Sequence, residues 1–151
     1  DVELWVSDPY LPREMADSLD FLQTSLQNIL TQCDVIVCAA PLTPATRGMI
    51  GKKEIDMIPP GTAFVNVSRG AIVDSDALIA RLKKGDITAG LEVWDPEPVP
   101  EDSEIRHLHN AFVTPHSSAV RDEDEKVDWP DQAFAPEWGV SMVGMMQDVR
   151  A

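Results

Sequence analysis

Three side chains that could act together in catalysis each follow the end of a strand-like apolar run: Arg69, Glu97 and His116. In open α/β sheets, ligands bind just outside the carboxyl ends of the strands. If the three runs are parallel neighbours, the three side chains meet at one edge of the sheet. Arginine can hold a carboxylate through two hydrogen bonds, histidine can move a proton near neutral pH, and glutamate can orient that histidine and favour its charged form. This set suits a 2-keto or 2-hydroxy acid.

Other acids and histidines compete for these roles. Spacing alone does not separate Glu97 from the neighbouring carboxylates as the partner of His116. Those carboxylates are Glu92, Asp95 and Glu101. Two further histidines lie in a polar, helical stretch and are expected to be exposed: His107 and His109. His116 follows a proline at the end of a strand-like run, so it is the best placed of the three.

Three motifs occur in order along the chain: VNVSRGAIVD, GLEVWDPEP and TPH. Together they resemble the NAD-dependent D-isomer-specific 2-hydroxyacid dehydrogenases, and the resemblance runs over about 2–118. It implies an oxidoreductase that transfers hydride between NAD and a 2-keto or 2-hydroxy acid. It also implies that Arg69 anchors the substrate carboxylate, that His116 is the general acid/base and that Glu97 is the partner of His116.

The resemblance further implies which residues contact NAD: Asp8, Ala40, Pro41, Val67, Ser68, Arg69, Glu92, His116 and Ser118. Asp8 ends a strand-like run, where an acid hydrogen-bonds the adenosine ribose, although Asp-Pro can also simply start a turn. Glu92 stands where the family usually has Asp, at the position that meets the nicotinamide carboxamide. A carboxylate on a strand needs a hydrogen-bond donor, and the cofactor amide would serve.

Strand-like and helical patterns alternate along the chain, which predicts an α/β fold with a mainly parallel sheet. With the resemblance, the expected fold is a Rossmann-like doubly wound sheet. Strands are predicted at 3–7, 20–22, 34–39, 62–67, 87–94 and 111–114. Helices are predicted at 12–18, 25–31, 51–58 and 77–84, with a short helical turn at 103–109. Asp74 is expected to cap the fourth helix, and Gly85 to end it.

The sequence contains no G-x-G-x-x-G phosphate-binding loop. We therefore expect 1–119 to be a partial dinucleotide-binding domain that lacks the first βα unit of the fold. That unit supplies a central strand, so the sheet should close over a gap, borrow a strand or expose unpaired edges. Exposed edges favour association, and we expect a homodimer.

The stretch 120–151 does not resemble the family and reads as a divergent acidic tail. It contains the charge run 121–126, and Pro130 and Pro136 prevent one long helix. The spacing of apolar residues at 137–149 predicts a short C-terminal helix.

Composition excludes several classes of partner. The chain has 26 acidic and 12 basic residues, a net charge of −14, which argues against binding to nucleic acid or to an anionic membrane. Cys33 and Cys38 lie among apolar residues and suit a reducing, cytoplasmic setting. No apolar run approaches the roughly 20 residues that span a bilayer. No spacing of His and Cys suits a metal site.

Two alternatives to catalysis stay open at this point. Non-catalytic NAD(H)-sensing corepressors resemble the same family and carry the same three motifs, so the motifs do not discriminate. An inactive fragment is the other alternative. A partner pull-down with and without NADH would separate a sensor from an enzyme.

Overall fold

The computed structural model describes residues 2–116, which form a parallel α/β fold. The strands are β1 (Leu4–Val6), β2 (Phe21–Gln23), β3 (Val35–Cys38), β4 (Ala63–Asn66), β5 (Thr88–Leu91) and β6 (Ala111–Val113). The α-helices are α1 (Arg13–Ser18), α2 (Leu26–Gln32), α3 (Lys52–Met57) and α4 (Ser75–Leu82). Short 3-10 helices occupy Gly70–Ile72 and Glu104–His107. The alternation predicted from the sequence is confirmed. The features expected in 120–151 lie outside the described residues.

The largest difference from the predicted boundaries is at the end of β5, which stops at Leu91 rather than at residue 94. Its neighbours end at the same level, since Leu91 pairs with Val113 and with Asn66. One more backbone bond, from Glu92 to Asn66, extends the ladder. Beyond it the chain turns into a loop although the sequence stays apolar.

The strands form two parallel sheets, β1-β2 and β3-β4-β5-β6. Every strand pair among the described residues is parallel, which confirms a Rossmann-like topology. Within residues 2–116, β1 pairs only with β2, and β3 pairs only with β4. The described sheet is therefore divided between β1 and β3, where the sequence predicted a missing central strand.

The core lies between the four-stranded sheet and helices α2, α3 and α4. Its largest fully buried side chains are Ile29, Leu30, Ile36, Ile55, Ile58, Phe64, Ile72, Leu78, Leu82, Ile87 and Ile105. Trp5 of β1 packs against this cluster. Alternate residues of β3 and β4 are buried against this cluster, and the residues between them are half-buried.

Capping and glycine residues determine where helix α4 and strand β4 begin or end. Asp74 accepts a hydrogen bond from the Ala77 amide at 3.0 Å and caps α4, as predicted. Gly85 adopts φ +74° just after this helix, a backbone conformation that favours glycine. Gly61, in the turn before β4, adopts φ +90°.

Among residues 2–116, no helix is long and apolar enough to cross a membrane. The same part of the chain holds no group of three or more His, Cys, Asp or Glu side chains arranged to bind a metal ion.

Candidate active site

The chain leaves β4 through a tight loop that presents Arg69 at the carboxyl edge of the four-stranded sheet. Ser68 donates its hydroxyl to the Ala40 carbonyl, and the buried Asn66 side chain bonds the backbone of Ser68 and Arg69. The Arg69 side chain is exposed, and its Nη1 donates to the Ser68 carbonyl at 2.7 Å. Within residues 2–116 its Nε and Nη2 make no hydrogen bond, so they are available to a ligand.

Gly70 brings this loop against the loop that follows β5. A Cβ at Gly70 would lie 1.9 Å from the carbonyl carbon of Trp94. Only a residue without a side chain allows this approach. The loops that carry Arg69 and Glu97 are therefore packed backbone to backbone.

Glu97 and His116 form a direct pair at this edge. Glu97 Oε2 lies 3.1 Å from His116 Nδ1, and Glu97 Oε1 accepts a hydrogen bond from the Trp94 amide at 3.1 Å. Both carboxylate oxygens are thus engaged, which fixes the orientation of the carboxylate. The pair is partly exposed, with side-chain exposures of 42% for Glu97 and 37% for His116.

The charges around Glu97 favour its ionised form. The hydrogen bond with His116 is the main reason that the pKa of Glu97 lies below its ordinary value. Partial burial opposes this change, whereas the Trp94 amide and the positive charges of His116 and Arg69 support it. Arg69, Glu97 and His116 therefore share one electrostatic environment, although they come from three separate loops.

His116 also has an unusual backbone conformation, with φ +58°. Histidine adopts this left-handed region more readily than most residues other than glycine. The conformation costs on the order of 1–3 kcal/mol, and such residues cluster at functional sites.

A cavity of about 720 Å³ lies beside the pair. Its lining includes Glu97, His116, Trp94 and two further polar residues, Glu92 and Thr114. The Thr114 hydroxyl donates to Glu92 Oε2. Sequence reasoning found Glu92 but missed Thr114. Each of the two follows a paired strand residue, and this register is not readable from the sequence.

The residues expected to contact the nicotinamide side of the cofactor lie at the same edge. Ala40 and Pro41 follow β3, the neighbour of β4, and the Ser68 hydroxyl connects the two loops. Val67 is 44% exposed although it follows a buried strand. Val67 offers an apolar surface for an aromatic ring, and Glu92, in the lining of the cavity, offers a carboxylate for an amide. These residues fit the nicotinamide end of NAD.

The two remaining residues expected to contact NAD are Asp8 and Ser118. Asp8 follows β1, in the two-stranded sheet, and its Oδ1 accepts a hydrogen bond from the Tyr10 amide at 2.8 Å. This is the turn arrangement that the sequence left open as its alternative. Ser118 lies outside the described residues.

A family model described as "D-isomer specific 2-hydroxyacid dehydrogenase, NAD binding domain" matches residues 1–118. The chain is 37% identical over 121 residues to a D-3-phosphoglycerate dehydrogenase of Methanocaldococcus jannaschii, covering 79% of this chain and 23% of the relative. It is 37% identical over 99 residues to a glyoxylate/hydroxypyruvate reductase B of an Enterobacter species, covering 65% of this chain and 31% of the relative.

Solved structures agree with these matches. The apo form of D-mandelate dehydrogenase from Rhodotorula graminis superposes with a TM-score of 0.71 at 28% identity, covering 78% of this chain and 35% of that one. D-lactate dehydrogenase with NAD+ from Lactobacillus jensenii superposes with a TM-score of 0.69 at 28% identity, covering 76% and 38%. The chain spans only 23% and 31% of the length of the two relatives above.

Proposed function

The chain belongs to the D-isomer specific 2-hydroxyacid dehydrogenase family, through its NAD-binding domain, and from this premise we propose that it serves NAD-dependent oxidation and reduction. The proposed reaction is hydride transfer between nicotinamide and a 2-keto or 2-hydroxy acid. The observation that carries the proposal is the 3.1 Å pair of Glu97 and His116 at the edge of the sheet that also presents Arg69.

In the proposed reaction, His116 moves the proton. Its Nδ1 faces Glu97 Oε2, so Nε2 is the ring nitrogen that can donate to the substrate carbonyl oxygen during reduction. The ionised Glu97 holds the orientation of the imidazole. General acid catalysis of this kind contributes about 10²–10⁴-fold to a rate.

Arg69 is proposed to hold the substrate carboxylate. Its Nη1 is engaged with the Ser68 carbonyl, whereas Nε and Nη2 make no hydrogen bond to residues 2–116 and can act as parallel donors. Two parallel donors match the two oxygens of a carboxylate. The cation also draws electron density from the neighbouring carbonyl group, which favours hydride addition to its carbon.

Val67, Glu92 and the loop at Ala40 and Pro41 are proposed to hold the nicotinamide. Val67 supplies apolar contact, and the Glu92 carboxylate, oriented by Thr114, would accept a hydrogen bond from the carboxamide. When bound, the nicotinamide supplies or accepts the hydride. Asp8 is proposed to meet the adenosine ribose and to disfavour a 2′-phosphate by charge repulsion.

The first experiment is a titration of the purified chain with NADH, followed by quenching of its four tryptophans. Saturable binding at micromolar NADH is expected. Turnover is then assayed with glyoxylate, pyruvate and hydroxypyruvate. No binding up to millimolar NADH, in a chain shown to be folded, would refute the proposal. Binding without turnover on any of these acids would favour a sensor over an enzyme.

Replacement of His116 separates the catalytic role from cofactor binding. His116→Ala is expected to lower turnover by about 10²–10⁴-fold and to lower the affinity for NADH much less. His109→Ala is the matched control, since His109 is exposed and does not line the cavity. Equal losses of turnover and NADH affinity in His116→Ala would contradict the assigned role.

We also propose a cytoplasmic homodimer. Cys33 and Cys38 are buried, free thiols, which suits a reducing compartment. The edges of β1 and β3 that have no strand partner within residues 2–116 favour association. Sedimentation would test the dimer, and cell fractionation the compartment. The boundary proposed at residue 119 predicts that limited proteolysis first removes 120–151.

A further inference from the structure

Asn66, the last residue of β4, places a polar side chain inside the core. It is 1% exposed. Its Oδ1 accepts a hydrogen bond from the Ser68 amide at 3.1 Å, and its Nδ2 donates to the Arg69 carbonyl at 3.1 Å. A buried amide without partners is costly, and here the loop that carries Arg69 supplies both partners.

These two bonds determine the path of the backbone through the loop. The bond from the Ser68 amide closes a turn of the kind that asparagine favours two residues before the donor. The bond to the Arg69 carbonyl orients the next peptide, which leads into Gly70 and its contact with Trp94. Asn66 thus bonds the peptide before Ser68 and the peptide after Arg69, the two peptides on either side of the 68–69 peptide.

Arg69 depends on this backbone for the position of its guanidinium. Its Nη1 donates to the Ser68 carbonyl, which belongs to the same loop. Its side chain is exposed, so packing contributes little to its orientation. A small rotation of the 68–69 peptide would therefore move the carbonyl acceptor and the guanidinium together.

We propose that Asn66 is a positioning residue for Arg69 and sets the direction in which the guanidinium meets a carboxylate. This inference rests on the anchor role proposed for Arg69. Asn66 is buried beneath the loop and does not line the cavity beside His116. It acts through the backbone of Ser68 and Arg69 and makes no contact with substrate.

The first test measures the backbone order of the loop. Asn66→Ala removes both bonds, and Asn66→Asp keeps an acceptor for Ser68 but loses the donor to Arg69. By ¹⁵N relaxation, the order parameters of Arg69 and Gly70 are expected to fall from about 0.85 to below about 0.6 in both variants. Thr62→Ala is the control, because Thr62 is also buried, at 3% exposure, but precedes the opposite end of β4.

Several results would overturn the proposal. One is a folded Asn66→Ala in which Arg69 and Gly70 stay as ordered as in the unchanged chain. Another is rapid hydrogen exchange of the Ser68 amide in the unchanged chain. This measurement does not depend on the folding of any variant. Failure of both Asn66 variants to fold would assign Asn66 to folding and also overturn the positioning role.

The second test connects positioning to binding. Oxamate, an unreactive 2-keto acid analogue, is titrated with NADH present while the Arg69 Nε–H resonance is followed. Asn66→Asp is expected to weaken oxamate binding about tenfold, as for loss of one hydrogen bond to a charged group. In the control Thr62→Ala, the affinity for oxamate should stay within about twofold, the scale of a change below 0.5 kcal/mol.

The two tests separate failure of this inference from failure of the proposed function. If the unchanged chain binds NADH but not oxamate, the anchor role of Arg69 is wrong, and the order parameters still decide whether Asn66 holds the loop. If Asn66→Asp binds oxamate as tightly as the unchanged chain does, positioning by Asn66 is refuted while the anchor role stands.

Discussion

Gly70→Ala is the change whose consequence follows most directly from the structure. The added Cβ would lie 1.9 Å from the Trp94 carbonyl carbon, 2.0 Å from its oxygen and 2.4 Å from the Asp95 nitrogen. Ordinary contacts begin near 3.4 Å, so one backbone would have to withdraw by about 1.5 Å. These atoms are backbone, and no side-chain rotation can relieve the overlap.

Overpacking of this kind costs about 1–3 kcal/mol, and we expect the upper end because backbone must move. For a chain of this size each kcal/mol lowers the unfolding temperature by about 2–4 °C. Gly70→Ala should therefore unfold about 6–12 °C below the unchanged chain. Because the Trp94 amide donates to Glu97, the Glu97–His116 pair should also loosen.

The assay is thermal unfolding followed by circular dichroism, with Gly90→Ala as the matched control. A Cβ at Gly90, in the middle of β5, would meet Val65 at 3.8 Å, an ordinary contact. Gly90→Ala should leave stability unchanged or raise it by up to about 1 kcal/mol. Equal unfolding temperatures for the two variants would refute the argument that backbone contact at Gly70 holds the two loops together.

Three further predictions concern single contacts. The pKa of Glu97 should rise in His116→Gln, measured by ¹³C NMR, because the His116 hydrogen bond is the main cause of its lowering; an unchanged midpoint would contradict the pair. The Glu97–His116 pair should stabilise the fold fully above the unfolded-state pKa of Glu97, and this stabilisation should be lost as the pH falls through the lowered folded-state pKa. Urea unfolding at several pH values measures this. A free energy of unfolding that does not decline over that pH range would contradict the stabilising role of the pair. Asp74→Ala should cost about 1 kcal/mol in urea unfolding through loss of the α4 cap, and no loss would contradict that cap.

The sequence alone predicted the order of the strands and helices and which residues lie at the carboxyl edge of the sheet. Apolar runs such as 34–39 and 62–67 are typical of strands in a parallel sheet, and their alternation with helical patterns indicates the fold class. Arg69, Glu97 and His116 follow three such runs, and parallel strands bring their carboxyl ends to one side. These inferences use only local patterns, and the parallel α/β fold confirms the class.

Which side chains contact one another at the site could not be predicted from local sequence patterns. Asp95 and Glu97 are two residues apart and chemically equivalent in the sequence. In the structure it is the Glu97 carboxylate that faces His116, with Oε2 3.1 Å from Nδ1. The turn after Trp94 decides between them, and that turn depends on the packing of Gly70 against its backbone.

Thr114 and Asn66 are two further residues whose contacts only the tertiary structure shows. Thr114 meets Glu92 because β5 and β6 pair in one register, and a shift by one residue would point the side chain to the other face. Asn66 reads as a polar interruption of an apolar run, and only the folded loop supplies its partners. The sequence by itself determined the fold class and the family, because periodicity and motifs are local. Tertiary structure decided which polar groups meet, because register and loop approach depend on packing across the sheet.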